Sequence, residues 1–220
     1  MFRGFAFLGH NPVVLATVLV KTGWGIAGGL MLLLTLFGEE VLAGPFSGEI
    51  TLGLLFAARG VGAAVGPILV RRFFRETTGM IRWMVTAGFI INGCAYLVFS
   101  GMASISSALV WVVIAHIGGS LMWVFSTMSL QLMVPDHFRG RVFAAEMALL
   151  TVAIACSNYG VGLLLDGGVF TIRQLTFGLG AWLLIPGFLW GILQSWRGSS
   201  WDRRMRIEPT TLVEVEHPEI

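Results

Sequence analysis

Residues 52–75 read LGLLFAARGVGAAVGPILVRRFFR. The run is apolar for most of its length. It nevertheless carries Arg59 near its middle, a small-residue ladder at Gly62 and Gly66, then Pro67, then a basic end at Arg71, Arg72 and Arg75. A soluble domain has little use for that combination, whereas a membrane helix uses all of it. Glycines four residues apart let backbones approach closely, and the proline frees a carbonyl one turn earlier, near Ala63, and can bend the helix. Arginines mark where a span stops at the cytoplasmic surface.

The remainder of the chain has the same character. Of 220 residues, 56% are hydrophobic and 12% charged, against about 25% charged in an average globular chain. Mean hydropathy is +0.83. A span needs about 20 apolar residues, and six segments qualify: 13–37, 50–70, 80–99, 105–133, 142–165 and 175–193. The expected fold is therefore an all-α membrane protein, a six-helix bundle with short loops and antiparallel neighbours. Unpaired backbone groups are too costly in lipid for anything but helices or closed barrels, and no period-2 strand pattern appears. The layout reads as a lead-in at 1–12, a membrane domain at 13–193, and a polar, disordered cytoplasmic tail at 194–220. Met1 to Pro12 shows no secretory cleavage pattern.

Charge placement sets an orientation. Arg3, Arg71, Arg72, Arg75, Arg82, Arg139, Arg141, Arg197, Arg203, Arg204 and Arg206 fall at one set of ends. Arg173 alone falls at the other, with Glu39, Glu40, Glu49 and Asp166. The positive-inside rule then puts both termini in the cytoplasm and the protein in the cytoplasmic (inner) membrane. Trp83, Trp111, Trp190 and Trp196 lie near span ends, as an interfacial belt requires; Trp24, Trp123 and Trp182 lie deeper. Cys94 and Cys156 sit inside apolar runs and read as small buried residues.

Ionisable and polar groups within spans are the candidates for function, because each is costly to insert. Lys21 and Arg59 lie near the midplane, roughly 13 Å from their span starts at about 1.5 Å per residue. With no carboxylate at comparable depth, they bind an anionic substrate, pair with acids on another chain or a missing half, or snorkel or bond helix C-terminal carbonyls. Glu146, about one turn into its helix, pairs with Arg139, Arg141 or Arg71, either as a cytoplasmic latch or as a plain interfacial salt bridge. His116 is a proton carrier or a packed histidine. Asn92 and Asn158 make interhelical hydrogen bonds. Gly25 and Gly29 form a second close-packing face. Soluble-enzyme chemistry finds no support: there is no phosphate-binding loop, no metal spacing among the four histidines and no paired carboxylates at one depth. Neither a cofactor nor a metal is implied. The basic loop at 71–82 needs no nucleic acid to explain it.

Two stretches carry a resemblance. GPILVRRFFR, at 66–75, is similar to the second copy of the Gly-x-x-x-Asp-Arg loop motif of the major facilitator superfamily (MFS). Gly66 and Arg71 match, while Val70 replaces the Asp and leaves that motif's charge relay without its acid. VPDHFRGRVFAAE, at 134–146, resembles the family's Pro-x-x-x-Arg-Gly-Arg loop, with Pro135, Arg139, Gly140 and Arg141 matching. The six spans look like the family's C-terminal half, a 3+3 repeat, nearest in flavour to bacterial drug and siderophore exporters of the enterobactin and macrolide efflux branch. The resemblance implies a secondary transporter that moves a small organic solute by alternating access, as proton-coupled efflux. It places Lys21, Trp24, His116 and Trp123 towards the substrate path. Arg59 and Asn158, with Gly62 and Gly66, would lie on the seam with another half. Gly66, Arg71, Arg72, Pro135, Arg139, Gly140, Arg141 and Glu146 would form the cytoplasmic gate. The family has about twelve helices, so the expected partner is a second six-helix half: a separate chain, a missing N-terminal half, or a second copy. The rival expectation is a non-transporting six-helix membrane subunit or an inactive fragment.

Overall fold

Local chemistry sets the ends of most helices in the computed structural model, which describes residues 9, 11–42, 46–73 and 77–204, with side chains through 196. Pro12 opens α1 (Pro12–Gly25), where its missing N–H costs nothing. After a break, α2 (Leu30–Leu36) runs into a π-helical turn, Phe37–Val41. Next come α3 (Gly48–Phe73), α4 (Thr78–Phe99) and α5 (Ile105–Met133). They are followed by α6 (Asp136–Asp166) and α7 (Ile172–Arg204). Thr77 and Ser104 cap α4 and α5 through Met80 N and Ser107 N. Thr171 and Gln174 form a reciprocal capping box at the start of α7. Gly168, at φ 63°, makes the left-handed turn out of α6 that a side chain would strain.

Six segments are long and apolar enough to cross a membrane: Pro12–Val41, Gly48–Phe73, Thr78–Phe99, Ile105–Met133, Asp136–Asp166 and Ile172–Trp196. No strand occurs among the described residues. The most extensive packing joins α4 to α5, α4 to α7 and α3 to α5, while α1 lies against α6, α5 and α7. Glycines set these distances. A Cβ at Gly88 would lie 2.6 Å from the Gly118 carbonyl oxygen, so α4 and α5 cross with their backbones in contact. Gly93 and Gly187 bring α7 onto α4 in the same way. Two arginines tie helix ends together. Arg139 on α6 donates to the carbonyls of Gln131 and Val134 at the end of α5, and Arg173 on α7 donates to Ser100 O at the end of α4. Cations there complement the helix dipole.

Several expectations need correction. The first span is not one helix, because residues 26–29 leave the α-helical pattern. The MFS-like stretch 135–146 is not a loop: α6 begins at Asp136, so Arg139, Gly140 and Arg141 lie in its first turns. Asp136 sits favourably in that first turn and pairs with Arg139 at 2.7 Å. Part of the expected tail, through Arg204, is helical; the acidic end beyond it lies outside the described residues, as do most of the lead-in, Arg3, Arg75 and Arg206. Arg82, counted with the loop arginines, is buried inside α4. Trp190 is also buried, donating to the Arg82 carbonyl, and belongs to the core rather than to a surface belt. Cys94 and Cys156 are exposed on the outside of the bundle.

Candidate functional site

The break in the first span positions the site. Ala27 N and Gly28 N bond three residues back, to Trp24 O and Gly25 O, in place of the usual four. That tightening strands the Gly23 and Ile26 carbonyls and the Gly29 amide. Each finds a side chain on another helix. Trp182 Nε1 on α7 donates to Gly23 O at 3.0 Å. Ser157 Oγ on α6 donates to Ile26 O at 2.7 Å and accepts from Gly29 N at 3.0 Å. Irregular backbone at mid-span is tolerable only when buried in protein and satisfied like this. Gly25, Gly28 and Gly29 let α6 approach closely enough, since Cβ atoms there would meet Leu150, Ile154 and Ser157 or Val161.

Beside the break lies a cavity of about 550 Å³, well within the roughly 300–1,000 Å³ of organic-ligand sites. Trp24, Gly28 and Met31 line it from the first span, Arg59 and Ala63 from α3, and Asn92 and Tyr96 from α4. His116, Ser120 and Trp123 come from α5, Leu150 and Ile154 from α6. Trp24 meets Trp123 edge-on, with centroids 5.9 Å apart. Tyr96 and His116 meet the same way at 6.1 Å. His116 Nδ1 lies 2.9 Å from Val112 O. A carbonyl can only accept, so Nδ1 carries the proton and Nε2 is the nitrogen left for other partners.

One layer away sits a buried ion pair. Lys21 Nζ is 3.0 Å from Glu146 Oε2, with the two side chains 1% and 0% exposed. Nζ also donates to Thr127 Oγ1 at 2.7 Å and lies 4.6 Å from the Trp123 ring centroid. Glu146 Oε1 is buried with no hydrogen-bond partner. Beyond the pair, Val14 and Val18 of α1 pack with Leu130, Val134, Val142 and Ala145 in a small apolar cluster. From the Arg139 end inward, α1 therefore presents an apolar plug, then an ion pair, then crossed tryptophans, then the cavity.

This geometry overturns two readings of the charges. Lys21 has a carboxylate at its own depth, and Glu146 reaches inward to it rather than to Arg139, Arg141 or Arg71. The pairing joins residues 125 apart in sequence. Residue counting placed Glu146 near the surface because α6 was expected to begin at 142; its start at Asp136 moves Glu146 into the third turn. Lys21 does not line the cavity, whereas Trp24, His116 and Trp123 do. Arg59 lines the cavity from the little-covered span α3, and no carboxylate lies within 4 Å of it among the described residues. Gly62 and Gly66 are buried within the bundle, against Val113, His116, Ile117 and Ser120 of α5, rather than turned to lipid. Asn92 and Asn158 make no interhelical hydrogen bond; each has a buried Oδ1 without a partner. Arg71 and Arg72 lie exposed at the end of α3. Ser157, Tyr96 and Thr127 were not singled out in the sequence, and Trp182 was singled out only as a deep tryptophan. A serine at the depth of a glycine cluster was the available signal for the first. No family model, curated protein or solved structure matches the chain.

Proposed function

We propose that the chain is one six-helix half of a secondary transporter in a cytoplasmic membrane, moving a small organic solute outward by alternating access coupled to protons. The observation that carries this reading is the mid-span cavity beside a broken helix, with a buried ion pair at its closed end. Half-helix termini and unwound backbone at the midplane are what transport sites in membranes are commonly built from. The Lys21–Glu146 pair joins α1 to α6 and is the natural place for coupling. A proton on Glu146 removes the attraction, and the pair then no longer holds α1 against α6.

The second and fifth spans support a partner. They are the least buried, with 28% and 11% of their apolar windows covered. Arg59, Ala63, Leu150 and Ile154 of these spans flank the cavity, and α3 and α6 have no extensive contact with each other. A second six-helix half seated there completes the cavity wall. The same uncovered faces also suit a six-helix subunit that only assembles with others, which is the second reading.

Flux separates the two. The full chain is reconstituted in proteoliposomes with an imposed pH gradient, and a panel of fluorescent organic anions, cations and neutral dyes is followed. Gradient-dependent flux that collapses with an ionophore and is lost in Glu146→Gln is expected, since an amide cannot take up and release the proton a carboxylate can. No flux for any dye from the chain alone or co-reconstituted with a partner recovered by cross-linking favours the assembly subunit.

A further inference from the structure

We infer that the cavity takes an organic monoanion, its carboxylate held by Arg59 and Tyr96 and its apolar or aromatic body lying against Trp24 and Trp123. This deepens the transport reading and rests on it for what happens after binding.

Charge comes first. Among the described residues Arg59 is the only formally charged one in the cavity wall, and no Asp or Glu among them lines it. The nearby cation, Lys21, is already neutralised by Glu146. The site therefore carries one uncompensated positive charge at mid-span, where leaving it unpaired is costly. A ligand with a single negative charge removes that cost. A cation meets repulsion with no acid to offset it, and a dianion brings one charge too many.

Hydrogen-bonding capacity comes second. Tyr96 is 3% exposed and its hydroxyl has no partner; Asn92 is 4% exposed and its Oδ1 has none. Both residues line the cavity. Buried polar groups are normally satisfied, so two unsatisfied ones on one wall point to an absent partner. A carboxylate accepts from the Tyr96 hydroxyl and the Arg59 fork together, and turning the Asn92 amide offers a third donor.

Size and polarity come third. An inorganic anion leaves most of the cavity unfilled. The rest of the wall includes Trp24, Trp123, Met31, Leu150 and Ile154. Aromatic and aliphatic walls with a few convergent polar groups suit an organic body with one charged end.

The test is equilibrium dialysis of the full chain in nanodiscs, with empty nanodiscs subtracted. The probes are 2-naphthoate, 2-naphthalenemethanol and 2-naphthylmethylammonium. Naphthoate is expected to bind about ten- to a hundred-fold tighter than the alcohol, the span of a charged hydrogen-bonded contact, with the ammonium weakest. Arg59→Gln abolishes that preference, Arg59→Lys keeps part of it, and Tyr96→Phe, which removes one oxygen from a buried ring, weakens naphthoate several-fold but not the alcohol. Equal or tighter binding of the alcohol or ammonium, binding of none of the three, or a preference that survives Arg59→Gln overturns the inference. Naphthoate binding without gradient-driven flux sinks the transport reading alone. Flux of cations without anion binding sinks the ligand class alone.

Discussion

Lys21 and Glu146 show how far a residue can be read before its neighbours are known. Each is an ionisable group in an apolar run, and each signals cost. The partner decides what kind of cost. Breaking a buried pair by removing one member leaves the other charged and unsolvated, at about 3–5 kcal/mol, whereas replacing both with apolar residues is often neutral. Lys21→Met and Glu146→Leu are therefore each expected to lower unfolding stability in micelles by about that amount, and the double variant to recover most of it. A double-variant loss equal to the sum of the singles would show that the 3.0 Å contact carries no coupling. Arg59 is the opposite case. With no carboxylate partner to strand, its removal takes away an uncompensated charge and costs the fold nothing. Arg59→Gln is expected to leave the melting temperature unchanged or raise it, and a fall of more than about 2 °C, equivalent to about 0.5 kcal/mol, would show that Arg59 has a structural partner.

At the level of elements, the break at 26–29 is a hydrogen-bonding problem solved from outside its own helix. Ser157 serves a donor and an acceptor at once. Ser157→Ala removes the partner of the buried Gly29 amide and of the more exposed Ile26 carbonyl, and is expected to cost about 1–3 kcal/mol, chiefly at Gly29. Amide exchange at Gly29 should accelerate correspondingly. Asn158→Ala, one residue on, is the control: its side chain makes no hydrogen bond, and little change is expected. The α4–α5 crossing gives a second test. Gly118 has Gly88 O and Asn92 N within 2.7 Å of where a Cβ would sit, so Gly118→Leu must force the helices apart. Loss of folded protein on size-exclusion chromatography is expected for it, and none for Gly140→Ala, which meets nothing within 4 Å. The GxxxG pairs at 25–29 and 62–66 were legible as close-packing faces. Which helix each would meet was not, because spacing along one helix carries no information about its partner.

For the whole molecule, orientation is tested by labelling and partnership by mass. In a Cys94→Ala, Cys156→Ala background, a cysteine at Val169 should react with an impermeant maleimide on intact cells. One at Gly140 should react only after permeabilisation, as the arginine distribution requires. The reverse pattern would invert the topology. Partnership is read from mass. In mild detergent, a particle larger than one chain is expected, because α6 leaves Val152, Tyr159 and Leu163 exposed alongside the cavity wall. A strict monomer would leave the cavity's open side facing lipid and argue against a completing half.

The amino-acid order alone determined that the chain consists of membrane-length helices, where five of the six spans lie to within a few residues, and which ends are basic. Those properties follow from composition and periodicity over windows of about 20 residues, a range within which hydropathy is nearly additive. The residues worth watching at mid-span were also visible, since a charge or an amide in an apolar run stands out wherever it points. Only the tertiary structure decided that Lys21 meets Glu146, that Arg59 turns to a cavity, and that 52–75 buries its glycines against α5. It also decided that the first span breaks beside Ser157. These are contacts between segments distant in sequence, fixed by how the helices rotate and cross. In an apolar helix with polar residues on several faces, no local pattern sets that rotation.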